Sequence, residues 1–137
     1  MIIILLVINW LLILLLKAKS LEFIIKVGQI YTVGVRDSGM LGVDKLKNEV
    51  INGLGKFEKT GLGSHREAKE SIETAFRYFK ANSKNISASI STTSKDYLMN
   101  VQDVNGVGMT SSLSLAAIIA MCSGALNKPV QSQCAVL

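Results

Sequence analysis

Three serines at the mouth of an apolar stretch are the residues best placed for chemistry. Residues 104–130 read VNGVGMTSSLSLAAIIAMCSGALNKPV, opening on glycines, passing Ser111, Ser112 and Ser114, then turning almost wholly apolar. A serine at a helix start lies where backbone N–H groups point outward. Such groups stabilise an oxyanion, and the helix dipole favours the developing negative charge. Two readings stand side by side. Either one serine is a nucleophile, or the hydroxyls cap and pack the helix, as Ser and Thr commonly do. A nucleophilic serine also needs a base, and a desolvated lysine with a lowered pKa can serve. Lys128 is the only lysine after Ser112. Sixteen residues along one helix, at about 1.5 Å each, put it about 24 Å away, out of reach.

Other chemistries find little support. His65 is the single histidine. It reads as a general base or as a solvated first-turn residue, and no carboxylate or nucleophile neighbours it in sequence to favour the former. One histidine with Cys122 and Cys134 makes no zinc site, and the two cysteines read as small core residues rather than a disulfide. The stretch GLGKFEKTG lacks the Gly-Lys-Ser/Thr order of a phosphate loop. No G-x-S-x-G elbow occurs. The net charge is +5, but the lysines are spread from Lys17 to Lys128 without interleaved aromatics, so no groove-reading nucleic-acid motif emerges.

The elements that must position the serines follow from periodicity. With 137 residues, 49% hydrophobic and 18% charged, the chain suits one globular domain. Residues 23–35 (FIIKVGQIYTVGV) are rich in β-branched and aromatic types and predict one or two strands. Residues 43–61 predict two strands joined at Asn52-Gly53, a hairpin signal. A helix is expected over about 64–81, with Ser64 and Glu67 forming a capping box and Ala68, Ile72, Ala75, Phe76 and Phe79 on its core face. Residues 85–91 and 96–102 read as short strands around TTSK. A second helix, about 112–126, is apolar nearly all round and carries small residues, so it lies in the interior. Asn127 and Pro129 end it, and residues 130–137 start another strand. The expected fold class is α+β: a small mixed sheet with two main helices.

Two blocks in this order resemble a known family. TGLGSHREAKESIETAFRYFKA is similar to the Lon proteolytic domain's helix with its Lys-Glu-Ser signature, here Lys69-Glu70-Ser71. SSLSLAAIIAMCSGALNKPV resembles Lon's nucleophile helix, with the Pro-Val step at Pro129-Val130. The wording is most similar to the Lon-like protein of the BREX phage-defence system. Counting back from the Pro-Val step puts the catalytic serine on Ser112, with Ser111 and Ser114 as alternatives. Lon flanks its serine with Gly-Pro and Ala-Gly; here Thr110-Ser111 and Leu113-Ser114 stand there.

The resemblance implies a truncated Lon-like proteolytic domain over 28–137, with the dyad lysine and the ATPase module absent, hence inactive alone. It implies ATP and Mg as cofactors of complete members only, with none in this chain. It also implies homo-oligomers in complete relatives, with other BREX components and DNA as partners. A non-enzymatic assembly module with the same fold is the competing reading. Residues 1–16 are apolar but for Asn9 and are followed, in the 17–27 linker or first strand, by Lys17 and Lys19. They read as a membrane anchor with the domain on the cytoplasmic side, or as a spurious start.

Overall fold

The computed structural model describes residues 7–9, 26–35, 38–106, 108, 113–130 and 135–136. Five strands form one mixed sheet: β1 (Gln29–Val35), β2 (Leu41–Asn52), β3 (Phe57–Thr60), β4 (Lys95–Asp103) and β5 (Ala135–Val136). Helices α1 (Arg66–Ile86) and α2 (Ser114–Leu126) join this sheet in an α+β fold. The strand order is β3-β4-β2-β1-β5. β1 and β4 flank β2 antiparallel, while β3 joins β4 and β5 joins β1 in parallel.

Alternation along the strands decides what the helices meet. Ile30, Leu46, Tyr97, Met99 and Val101 face one side and share a buried core with Ile72 and Phe79 of α1 and Ala116, Ala120 and Met121 of α2. Aromatic contacts lock α1 onto β3 and β4. Phe57 stacks on Phe76 at 4.2 Å, and Phe79 meets Tyr97 edge-on at 5.3 Å. Fully burying such rings contributes roughly 1.5–3 kcal/mol each.

Four local expectations are corrected. The strands β2 and β3 do not form a hairpin, because β4 lies between them. The Asp96 carboxylate on β4 accepts N–H groups from Leu54, Gly55 and Lys56 at 3.0, 3.1 and 2.8 Å. Those bonds carry the loop across the end of β4 instead of letting Asn52-Gly53 reverse the chain.

Secondly, α1 is capped by His65, not Ser64. The turn Leu62–His65 brings the imidazole into the capping position, where Nδ1 accepts the Ala68 N–H at 3.1 Å. Thirdly, α1 runs on past Asn82 to Ile86. Its late polar residues bond back into the helix rather than ending it: Asn82 Nδ2 donates to the Tyr78 carbonyl and Ser83 Oγ to the Lys80 carbonyl. Fourthly, residues 85–91 form no strand. They finish α1 and turn, with Lys84 Nζ donating to the carbonyls of Ala88 and Ile90 and Ile90 buried in the core.

The second helix ends as expected. Asn127 adopts the left-handed conformation, φ 53°, and its N–H returns to Gly124. The expected final strand appears as the short β5 beside β1.

Candidate functional site

The N-terminal end of α2 is held by a neighbouring helix rather than by its own cap. Leu113, the residue before the first turn, is fully buried and offers no side-chain cap. Its N–H instead donates to Ser71 Oγ of α1 at 3.0 Å. Ser114 Oγ donates to the Ser71 carbonyl at 3.0 Å and lies 2.8 Å from Ser71 Oγ. One proton assignment satisfies all three contacts: Ser71 O–H donates to Ser114 Oγ, and Ser114 O–H donates to the Ser71 carbonyl.

The other end of α2 is pinned by a second serine. Ser123 Oγ accepts the Gly28 N–H at 2.8 Å and donates to the Lys128 carbonyl at 2.5 Å. Gly28 has φ +77°, and a Cβ there would fall 2.1 Å from the Asn48 carbonyl. Only glycine brings β1 this close to β2 and to α2. Serines in an almost wholly apolar helix therefore have a physical use: hydroxyls at both ends fix its position along the sheet.

The approach to α2 is organised by β4. The Asp103 carboxylate accepts the N–H groups of Gly106 at 3.1 Å and Gly108 at 2.7 Å. Asn105 ties the same turn to β2, accepting the Val43 N–H and donating to the Leu41 carbonyl. Asp44, fully buried on the helix-facing side of β2, lies opposite both Thr32 of β1 and Asp103 of β4 in the sheet register. A carboxylate this deep is costly to bury unless hydrogen-bonded or paired.

The candidate serines separate as follows. Ser114 is the first residue of α2 and engages Ser71. Ser111 and Ser112 lie outside the described residues. His65 serves as the α1 cap, its Nδ1 occupied by the Ala68 N–H. Cys122 carries a free thiol whose pKa burial pushes up, the opposite of what an activated thiolate requires; Cys134 lies outside the described residues. Among the described residues, no three His, Cys, Asp or Glu side chains gather as a metal site. A groove of about 370 Å³ on the other face of the sheet, lined by Lys47, Glu49, Glu58 and Asn100 among others, contains none of the candidate serines.

Comparison with known proteins settles the kinship. No family model matches the chain. Over 112 residues, 82% of its length, it is 69% identical to a Lon-like protease BrxL of Bacillus cereus. It is 39% identical over 112 residues to a Lon-like protease BrxL of Escherichia coli. The chain carries a BrxL-type Lon-like segment. It spans 17% and 16% of the lengths of those two relatives, about a sixth.

Within this Lon-like segment the two resemblance blocks meet in space: Ser71 of the Lys-Glu-Ser signature touches the first residue of α2. In the sequence Ser71 stands out only as part of the Lys-Glu-Ser signature, with no task attached. The sequence marks Ser123 only as one of the small residues of the apolar helix, with no bonding role, and gives no sign of Asp44. The Ser123 signal was available, since a lone hydroxyl one residue before Gly124 in an apolar helix needs a partner. Asp44 left none, because VDKL reads as ordinary strand alternation.

Proposed function

We propose that this chain is the proteolytic-domain segment of an ATP-dependent Lon-like serine peptidase of a BREX-type phage-defence system, with Ser112 as the nucleophile. The observation that carries this reading is the clasp between the Lys-Glu-Ser helix and the start of α2, in a chain 69% identical to a Lon-like protease BrxL. In the proposed reaction the Ser112 hydroxyl attacks a peptide carbonyl while a lysine takes its proton. N–H groups at the opening turn of α2 would hold the oxyanion. The lysine is supplied from outside this chain, so the chain alone is expected to be inactive. ATP and magnesium belong to a separate ATPase module of the complete protein, which would work as a cytoplasmic homo-oligomer with DNA and other BREX components as partners.

A fluorophosphonate probe tests this directly. The isolated chain should show no Ser112-dependent labelling. A chain extended through a lysine-bearing segment should be labelled, and Ser112→Ala should abolish that labelling. Ser112-dependent labelling of the isolated chain would overturn the claim of inactivity, and labelling of the extended chain that survives Ser112→Ala would remove Ser112 as the nucleophile.

One observation favours a second reading. Ser71, Ser114 and Ser123 all spend their hydroxyls on pinning α2. A Lon-like fold kept as an assembly module in a defence complex needs that packing and no nucleophile. Under this reading Ser112→Ala leaves phage defence intact, whereas the peptidase reading requires defence to be lost with the fold preserved.

A further inference from the structure

The face of the sheet turned away from the helices is polar along most of its width. In β2 it presents Lys45, Lys47 and Glu49, and in β4 Asn100 and Gln102. One corner differs. Val33 of β1 and Val43 of β2 are directly paired on this outer face, yet they are only 3% and 1% exposed. Among the described residues, the apolar side chains packed around them are Tyr31, Leu41, Val104 and Ile8, none of which belongs to α1 or α2.

Ile8 belongs to the apolar run at the start of the chain. Val7 and Asn9 on either side of it are exposed, and Val7–Asn9 has helical backbone. Ile8 is thus turned toward the sheet while its neighbours are not. The apolar corner continues outward through Val35, 66% exposed, and Met40, 55% exposed. It therefore offers more surface than one isoleucine covers. The tether also suffices: the nineteen residues between Ile8 and Gly28 could span about 60 Å at roughly 3.3 Å each, several times the length of β1.

We propose that this corner, Val33–Val43 with Tyr31, Leu41 and Val104, is the docking surface for the chain's own N-terminal apolar segment, residues 1–16. In this arrangement the segment covers the corner in place of anchoring the chain in a membrane. The same apolar side chains cannot be buried against the sheet and in a bilayer at once.

Trp10, the single tryptophan, sits in that segment and reports on it. In the full chain, acrylamide should quench Trp10 fluorescence weakly and independently of protein concentration. Vesicles of phosphatidylcholine and phosphatidylglycerol with brominated acyl chains should leave it unquenched. Ile8→Glu, which alters no residue of the sheet itself, should raise acrylamide quenching several-fold while the domain still unfolds cooperatively. Val43→Glu should do the same from the sheet side. Quenching of the wild-type chain by brominated vesicles would overturn the proposal. So would unchanged quenching in Ile8→Glu, or protection that disappears on dilution, which would assign the segment to a second copy.

Discussion

Ser71 on α1 and Ser114 on α2 lie with their hydroxyl oxygens 2.8 Å apart, and the same Ser71 oxygen receives the Leu113 N–H. Helix α2 thus borrows its cap from another helix, which ties its first turn to α1. Ser71→Ala leaves the buried Leu113 N–H without that acceptor, at an expected cost of about 1–3 kcal/mol. Ser114→Ala loses one donor and should cost about 1 kcal/mol. The two changes share a network, so the double variant should fall short of their sum by about 0.5 kcal/mol or more. Urea unfolding of the four proteins measures this; strict additivity would mean that the hydroxyls act independently.

The loop between β2 and β3 gives the fold an acid-sensitive joint. The Lys56 N–H beside Asp96 holds its carboxyl below its ordinary value of 3.8, against the opposing effect of desolvation and with help from the N–H groups of Leu54 and Gly55. A folded-state pKa below the unfolded one stabilises the protein above that unfolded value, and the contribution is lost as pH falls through the folded pKa. Stability should therefore drop on acidification below about pH 4. Asp96→Asn should be less stable at neutral pH and lose this part of the acid dependence. Thermal unfolding of both proteins from pH 7 downward tests it; parallel curves would contradict the assignment.

How far the sequence revealed this arrangement depends on how local each cause is. The core face of α1 was legible because Ala68, Ile72, Ala75 and Phe79 repeat at the helical period and all four are buried. The stop at Asn127 was legible because a left-handed cap is a one-residue property. The β2–β3 hairpin failed because Asn52-Gly53 is a local signal, overruled by a carboxylate 42 residues from Leu54. His65 displaced Ser64 as the cap through a turn whose geometry a one-residue offset hides. At the site, the helix-start serines were legible as a group. Their division of labour was not, since Ser71 acts across 43 residues of sequence.

Aromatic packing between α1 and the sheet supplies a control remote from the candidate serines. Phe79 is fully buried against Tyr97. Phe79→Ala removes a ring that the surrounding residues cannot replace, and should cost about 3–5 kcal/mol. Phe57 and Phe76, stacked at the half-buried edge of the same cluster, should cost less when truncated singly. Chemical denaturation orders the three; a Phe76 variant as damaged as Phe79→Ala would mean that the sheet edge carries more of the core than its exposure indicates.

The far end of α2 makes the last prediction. Ser123→Ala would leave the Gly28 N–H and the Lys128 carbonyl without their shared partner, and should destabilise by about 1–3 kcal/mol. Gly28→Ala attacks the same junction from β1. Its Cβ would collide with the Asn48 carbonyl at 2.1 Å in a backbone conformation that L-residues rarely adopt. A backbone carbonyl cannot rotate away as a side chain can, so the strand must shift, and a loss of at least about 2 kcal/mol is expected. If both variants act by freeing this end of α2, hydrogen exchange should rise first in the last turn of the helix and the start of β1, with the Ser71–Leu113 end still protected. Equal loss of protection at both ends would show that α2 opens as one unit, and that its two serine pins do not act separately.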